Sequence, residues 1–287
     1  MISIVGLVFL FIAVFGGYVM AEGKMEPIIE AAPHEMFTIG GAAAAAMLVG
    51  NSMDVVKGVG SGIGMAFAGP RYHKQEHMEV MFLVVKLFKV LKSEGAVALE
   101  AHIENPEASA IFSEYPKLLK DHELISMICD TVRLLVTSNV APKIEAVEDA
   151  LNLAIKTHHH NAVKPAEALA GMAGALPALG IVACVLGVVK TMGAIDQPPA
   201  VLGALIGGAL VGTFLGVFLA YGIVEPLSTR IKQVVDEEGE IYNNAKFMLL
   251  GHLQGFQVPL IIEMARAAIN HHSKPTFAEV FDGLRGK

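Results

Sequence analysis

The chain has 287 residues, of which 54% are hydrophobic and only 17% are charged, and its mean hydropathy is +0.55. Soluble domains carry about a quarter charged residues, so this composition excludes an ordinary soluble domain and indicates an integral membrane protein. The net charge of -7, without any basic tract, excludes nucleic acid as a partner class.

Two apolar segments near the N-terminus predict a first pair of membrane helices. Residues 1–21 carry no charge, and residues 36–53 are uncharged between Glu35 and Asp54. A signal peptide would have basic residues before its apolar core, and none precede this one, so we interpret the first segment as a retained membrane helix. Residues 1–53 are therefore predicted to form a helical hairpin with a short connector, 22–35.

Residues 54–167 predict a large helical domain outside the membrane. In 80–91, apolar residues recur at spacings of three and four, which is typical of an amphipathic helix. Helix ends are expected at Gly95 and at Asn105-Pro106, because glycine and proline interrupt helices.

Three local patterns in this region resemble ligand sites but are better explained without a ligand. Glycine alternates through 58–64 without the order or the lysine of a phosphate loop, and predicts a flexible exit from the membrane. Residues 73–77 fit the His-x-x-Glu-His pattern of inverted zinc peptidases but have no evident third ligand. These residues are expected on a solvated helix face, and the three histidines at 158–160 in an exposed polar loop.

Two further apolar segments, 168–189 and 198–224, predict a second hairpin. Each is long enough to cross a hydrocarbon core of ~30 Å as a helix, and neither contains a carboxylate. The connector between them contains Lys190 and Asp196. The second segment carries glycines four residues apart, namely Gly208, Gly212 and Gly216, and Gly203 with Gly207. Such strips let membrane helices approach closely.

The distribution of basic residues predicts the orientation in the membrane. The two short connectors contain only Lys24 and Lys190 of the 21 lysines and arginines, and all others lie in 54–167 or 225–287. By the positive-inside rule, these two long regions and both termini are cytoplasmic. Residues 225–287 predict an amphipathic helical tail.

Several residues are candidates for function, each with a plainer alternative. Pro177 interrupts the hydrogen bonding of its predicted helix, either as a static kink or as a hinge beside an ion path. Thr213 and Tyr221 are polar groups in an apolar segment, and a threonine hydroxyl can simply bond to its own helix. Lys92 and Glu100 are either solvated surface charges or part of a protein contact.

Six motifs in chain order carry a resemblance to a known family. They are Gly16-Gly17-Tyr18, Leu99-Glu100 with Ile103-Glu104-Asn105-Pro106, Tyr115-Pro116, Leu176-Pro177-Ala178 with Gly180-Ile181-Val182-Ala183, Val211-Gly212-Thr213-Phe214-Leu215-Gly216, and Ala220-Tyr221-Gly222 with Pro226. Together they closely resemble the MotA family of flagellar motor stator subunits, within the MotA/TolQ/ExbB proton channel family. The likeness extends over essentially the whole chain.

The resemblance implies an all-α protein of the bacterial inner membrane with four transmembrane helices and a large cytoplasmic domain. Five such chains would form a ring around two copies of a MotB-type partner, whose single membrane helix brings the ion-accepting aspartate. The resemblance places Pro177, Pro226, Thr213 and Tyr221 beside the ion path. It implies a membrane transducer of ion flow rather than an enzyme.

The same resemblance implies that Lys92 and Glu100 contact the rotor protein FliG. The family usually has arginine at the basic position, and lysine keeps the charge but lacks the planar fork. Sodium-driven relatives such as PomA carry a threonine where this chain has Cys184. A thiol is a poor ligand for a hard cation, so we expect protons as the coupling ion and no other cofactor.

Two rival functions share part of this pattern. An energy transducer of the ExbB or TolQ kind also encloses a pair of partner helices, but has three membrane spans with its large loop after the first. A self-contained channel or transporter would need its own ion-binding acid at membrane depth, and neither 168–189 nor 198–224 contains one.

Overall fold

The computed structural model describes residues 2–137 and 143–285. These residues form helices and no strand, which confirms the predicted all-α class. The chain divides into two compact units, one from the described parts of 1–69 and 162–234, the other from those of 70–161 and 235–287. This division follows compactness and does not test the membrane boundaries predicted at residues 53, 167 and 224, which stay predictions.

The first unit contains the most apolar helices. They are α1 (Ile2–Phe11), α2 (Gly17–Met20), α3 (Glu26–Gly50), α4 (Met53–Ala68), the later part of α10 (Ile144–Met192), α11 (Pro199–Val217) and the start of α12 (Glu225–Leu253). Two π-helical turns, Ile12–Gly16 and Phe218–Val224, join α1 to α2 and α11 to α12 without a break.

Within the described residues, three helical stretches are long and apolar enough to cross a membrane. They are Ile2–Met20, Ile144–Met192 and Pro199–Leu253. Helix α3, which contains most of the predicted span 36–53, is not among them. Its apolar half is mostly alanine and glycine, and its first half carries Glu26, Glu30 and Glu35.

Residues 22–35, the predicted connector outside the membrane, are mostly helix, because α3 begins at Glu26 with a proline in its first turn, a position that suits proline. One prediction for the first unit is wrong. The glycine run 58–64 is not a flexible exit but lies within α4. A Cβ atom on Gly58 would lie 2.6 Å from the Pro165 ring, so this glycine allows close packing.

The second unit is built around a buried apolar core. Its helices are α5 (Lys74–Ser93), α6 (Ala96–Glu104), α7 (Ala110–Ser113), α8 (Pro116–Leu119), α9 (His122–Thr137), the first part of α10, most of α12, α13 (Val258–Ala267) and α14 (Phe277–Arg285). Leu83, Leu87, Ile128 and Met248 are completely buried there. Gly95 has a φ of +88° between α5 and α6, which confirms the predicted break and favours glycine.

A buried carboxylate network stabilises this unit. Asp121 accepts hydrogen bonds from the hydroxyls of Tyr72 (2.5 Å) and Tyr242 (2.9 Å). Glu238 accepts from the Arg71 backbone N–H and from its guanidinium at 2.8–3.0 Å. Hydrogen bonds to charged groups are among the stronger ones in proteins, so the network ties the N-terminal end of this unit to α12.

The histidine patterns have structural roles. His73 begins α5 and forms a capping box with Glu76, a common way of satisfying the first N–H groups of a helix. His77 is buried against Asn244, whose Nδ2 donates to the His77 carbonyl at 2.9 Å. The predicted loop at 158–160 is wrong, because these residues lie in α10, where His159 pairs with Asp236 at 2.7 Å.

Burial of His77 predicts acid sensitivity of this unit. Burial lowers the pKa of His77 to about 4, whereas an unfolded histidine titrates near 6.5. As the pH falls below about 6.5, His77 is protonated in the unfolded chain but stays neutral in the folded chain. The free energy of unfolding therefore decreases from about pH 6.5 towards pH 4. At about pH 5.5 the loss is about 1 kcal/mol.

We therefore expect His77→Gln to flatten the decline in melting temperature between about pH 7.5 and 5.5, whatever its effect at neutral pH. Circular dichroism melting of the purified protein measures this. Exposed His122→Gln is the matched control and should melt with the parent's pH slope. Burial also lowers the pKa of His252, so part of the slope should remain. An unchanged slope in His77→Gln contradicts the assignment.

Candidate functional site

Helices α10 and α11 cross with their backbones in direct contact. A Cβ atom on Gly180 would lie 2.8 Å from the Gly212 carbonyl oxygen, and one on Gly216 would lie 2.7 Å from the Leu176 carbonyl oxygen. Only glycine fits at such distances. The predicted close approach is thus confirmed at Gly212 and Gly216, whereas a Cβ atom on Gly203 or Gly207 would meet no atom of another helix within 4 Å in the described chain. We call this contact the glycine crossing.

Pro177 lies in the interior of α10, three residues before Gly180. Its missing N–H leaves the Ala173 carbonyl without its usual helical partner, which weakens the helix at this turn. Cys184 lies two turns further along α10, on the same side of the helix as Pro177. Both residues are partly buried. The deformable turn of α10 therefore lies directly beside the glycine crossing.

Thr213 lies on the α11 side of the same crossing. Its Cα atom is 3.4 Å from the position that a Cβ atom on Gly180 would occupy, and its side chain is partly buried. The structure therefore brings the α10 segment after Pro177 against the α11 segment with Thr213. These are two of the predicted pathway residues.

Tyr221 and Pro226 lie further along the chain. Tyr221 belongs to the π-helical turn Phe218–Val224 and is 65% exposed, and Pro226 is the second residue of α12. Proline at 226 cannot donate to the carbonyl of residue 222 and would clash with it in a regular α-helix. A π-helical turn just before it relieves this clash. Wide turns of this kind often occur at functional sites.

A stack of aromatic rings supports the two π-helical turns. Phe15 in the first turn meets Phe218 in the second with ring centroids 5.5 Å apart, and Phe11 meets Phe218 at 5.3 Å. Both contacts are edge-to-face, which is a favourable aromatic geometry. The two irregular turns of the first unit are therefore packed against each other.

Sequence reasoning missed Glu35. Glu35 is the last residue of the predicted connector 22–35, but the structure places it inside α3 with its carboxylate against Gly212. A Cβ atom on Gly212 would lie 2.6 Å from Glu35 Oε2. A signal was present in the sequence, because Glu35, Ile39 and Ala43 are spaced by four residues and share one face of α3. Ile39 and Ala43 are completely buried.

The predicted rotor-contact residues lie in the second unit, on either side of the turn at Gly95. Lys92 is in the last turn of α5 and Glu100 is in α6, and both are exposed. Val97, between them in sequence, is 81% exposed. The surface therefore offers charges of both signs and an apolar side chain.

Comparison with known proteins identifies the family. Residues 4–95 match the family described as Motility protein A N-terminal, and residues 122–244 match the MotA/TolQ/ExbB proton channel family. The chain is 37% identical over 286 residues to Motility protein A of Salmonella typhimurium, with 99% of this chain and 95% of the relative covered. The chain belongs to the motility protein A family.

Other relatives agree with this assignment. Motility protein A of Escherichia coli is 36% identical over the same coverage, and Chemotaxis protein LafT of Vibrio parahaemolyticus is 34% identical over 275 residues, 96% of this chain and 95% of the relative. A stator subunit of the flagellar motor is thus the function that the family supports. The N-terminal family match and the full-length relatives favour it over the transducer rival.

Two solved structures share the fold. MotAB of C. jejuni has a TM-score of 0.72 at 17% identity, covering 94% of this chain and 95% of that one. The flagellar MotAB stator complex from Bacillus subtilis has a TM-score of 0.65 at 22% identity, covering 91% and 92%. At 17% and 22% identity, the likeness to these two structures shows a shared fold.

The glycine crossing predicts that alanine substitutions on α11 change stability differently at contacted and at open glycines. Gly216→Ala should lower the stability of the purified protein by about 1–3 kcal/mol, because the added methyl group meets a backbone oxygen that cannot move aside. Gly203→Ala on the same helix is the matched control. It should melt at or above the parent temperature, since alanine favours helix over glycine by about 1 kcal/mol. Melting followed by circular dichroism measures both, and equal effects would contradict the crossing.

Proposed function

We propose that this chain is the ion-conducting stator subunit of a bacterial flagellar motor, coupling proton flow across the inner membrane to torque on the rotor. The observation that carries the proposal is the likeness to Motility protein A of Salmonella typhimurium over 99% of the chain. The ExbB or TolQ type of transducer is the second candidate, and the match of residues 4–95 to the family described as Motility protein A N-terminal disfavours it.

The proposed subunit spans the membrane four times, with both termini in the cytoplasm. Three apolar helical stretches supply three spans, and the apolar half of α3 supplies the fourth. The scarcity of basic residues in 22–35 and 190–197 supports the orientation. Helices of alanine and glycine pack closely against neighbours in membranes, which suits α3 despite its lower hydropathy.

The proposed partner is a MotB-type subunit that brings an ion-accepting carboxylate. The structural neighbours are MotAB complexes by name, and neither 168–189 nor 198–224 contains an acid. We further propose a ring of five copies around a pair of partner helices, as the family resemblance implies. The exposed apolar faces of α1 and α10 fit contacts with lipid or with other subunits.

In the proposed mechanism, protonation removes the charge of the partner carboxylate. The partner carboxyl group then favours an apolar surface of the pathway over a polar one. Each proton that crosses 100 mV releases ~2.3 kcal/mol. Pro177 and Thr213 border the glycine crossing, and Tyr221 and Pro226 border the π-helical turn. These irregular places are where α10 and α11 can change shape with least loss of helix bonding. The rotor step itself is transmitted to FliG through Lys92 and Glu100.

Protons are the proposed coupling ion because Cys184 occupies the position of the sodium-associated threonine. Sodium ions bind oxygen ligands, and a thiol at this position would leave one ligand missing. The partly buried Cys184 side chain lies on the same side of α10 as Pro177.

The function is tested by deleting the gene in its own organism. We expect paralysed cells that still carry flagellar filaments, because a stator supplies torque and not filament assembly. A plasmid copy should restore swimming, at a speed independent of external sodium at fixed membrane potential. Normal swimming of the deletion strain would contradict the stator assignment, and sodium-dependent speed would contradict only the assignment of protons.

The rotor contact is tested by charge reversal. Lys92→Glu and Glu100→Lys should each slow swimming, because a like-charge contact replaces an attractive one of up to about 1 kcal/mol. A compensating reversal on FliG should restore speed. Lys120→Glu, an exposed lysine elsewhere in the same unit, is the matched control and should swim normally. Equal slowing by all three variants would indicate a general effect of charge and contradict the contact.

A further inference from the structure

Glu35 has a carboxylate oxygen that is buried without a partner. Its Oε2 atom has no contact with solvent and no hydrogen bond from the described residues. Leaving a buried polar atom unsatisfied costs about 1–3 kcal/mol, and buried polar atoms in folded proteins almost always have partners. The unpartnered Glu35 Oε2 atom therefore requires an explanation, and transient binding of a ligand at this carboxylate is one.

The buried oxygen lies in a notch between two helices. It points at Gly212 of α11, and the Cβ atom of Ala183 in α10 borders the same notch, 3.2 Å from the position of an added Gly212 Cβ. A side chain at 212 would fill the notch. Gly212 thus allows the backbone contact with α10 and also makes room for the carboxylate. Thr213, a predicted pathway residue, follows it directly.

Glu35 also lies on the wall of an open cavity of about 690 Å³ between α3, α10 and α11. This volume holds many water molecules, since a water takes up about 30 Å³ in the liquid. On the other side of Glu35 the helices close, because Ile39, Ala43 and Leu176 are at most 1% exposed. The carboxylate therefore lies at the boundary between a space open to water and a dry apolar core.

We propose that Glu35 is a proton relay at the inner end of this cavity, in the outer half of the ion pathway. This inference builds on the proposed stator function. A hydronium ion in the cavity gives its proton to the Glu35 carboxylate, where an O–H bond forms as the O–H bond of the hydronium ion breaks and water is released. That bond then breaks as the proton passes to the acceptor carboxylate of the partner subunit, and Glu35 returns to its ionised form. Glu35 thus carries the incoming proton itself, whereas the partner acid couples that proton to torque.

Other charged groups also line the cavity. Glu26, Glu30 and His34 face it from α3, and Lys190 faces it from α10, whereas its α11 lining of Ala204, Leu205, Gly208 and Ala209 is apolar. Of the acids, Glu35 alone has the buried, unpartnered oxygen within the described residues. Its removal should therefore affect transfer beyond the general loss of one negative charge.

The experiment compares Glu35→Gln, Glu35→Asp and the matched control Glu22→Gln in single flagellar motors. Glu22 is exposed and does not line the cavity. We expect proton transfer to limit rotation at low load, so Glu35→Gln should slow low-load rotation about a hundredfold, the lower end of the typical effect of removing a proton-transfer group. Its stall torque should be unchanged, Glu35→Asp should restore part of the speed, and Glu22→Gln should rotate like the parent. A Glu35→Gln motor with parental speed at all loads overturns the relay.

A second measurement keeps the inference testable if Glu35→Gln fails to assemble. Infrared difference spectra of the purified subunit between about pH 8 and pH 5 detect carboxyl groups that take up a proton above the ordinary glutamate pKa of about 4.3. We expect a protonated carboxyl band in the parent that Glu22→Gln retains and Glu35→Gln lacks. Identical spectra of parent and Glu35→Gln overturn the relay. Failure of the stator function itself is distinguished by the deletion strain, which would then swim without any copy of the gene.

Discussion

The backbone contact between α10 and α11 is the constraint on which the rest of the first unit depends. Gly180, Gly212 and Gly216 bring the two helices closer than any side chain permits, and in lipid such close packing replaces the hydrophobic drive of soluble proteins. The same contact leaves a notch for the Glu35 carboxylate and places the Pro177 turn beside Thr213. One geometric feature thus sets both the packing and the chemistry of the apolar helices.

The second unit is stabilised in a different way from the first. Its core buries large aliphatic residues such as Leu83 and Met248 completely, and Asp121 and Glu238 lie close to that core. These carboxylates are satisfied by tyrosine and arginine donors, as buried charges must be. The chain therefore combines a unit held by backbone proximity with a unit held by an apolar core and charged hydrogen bonds.

Much of the fold and part of the site could be predicted from the sequence. Helix periodicity and the glycine strip at 212 and 216 follow from local spacing, because both repeat with the period of a helix. The break at Gly95 follows from the tendency of glycine to end helices. The packing of Gly58 could not be predicted, since it depends on the close approach of Pro165, more than a hundred positions away in the chain. The tertiary neighbours there outweigh the helix-weakening tendency of glycine.

The same reason explains why Glu35 was assigned to a connector. A glutamate before an apolar run ordinarily marks the water-exposed edge of a membrane span, and only the partner helices show that this one turns inward. The polar run before the third predicted span predicts an exposed loop at His158 and His159, but both residues lie in α10. Their contacts with Tyr242 and Asp236 come from α12, far along the chain.

The π-helical turn Phe218–Val224 has a further consequence for the long helix that contains it. Such a turn is equivalent to an α-helix with one residue inserted, which rotates everything after it by about 100° relative to what precedes it. Before the turn, the register directs Gly212 and Gly216 towards α10. After it, a different register directs Ile231 towards Gly62 of α4. A single extra residue therefore lets one continuous helix serve two partners whose directions a regular helix could not satisfy together.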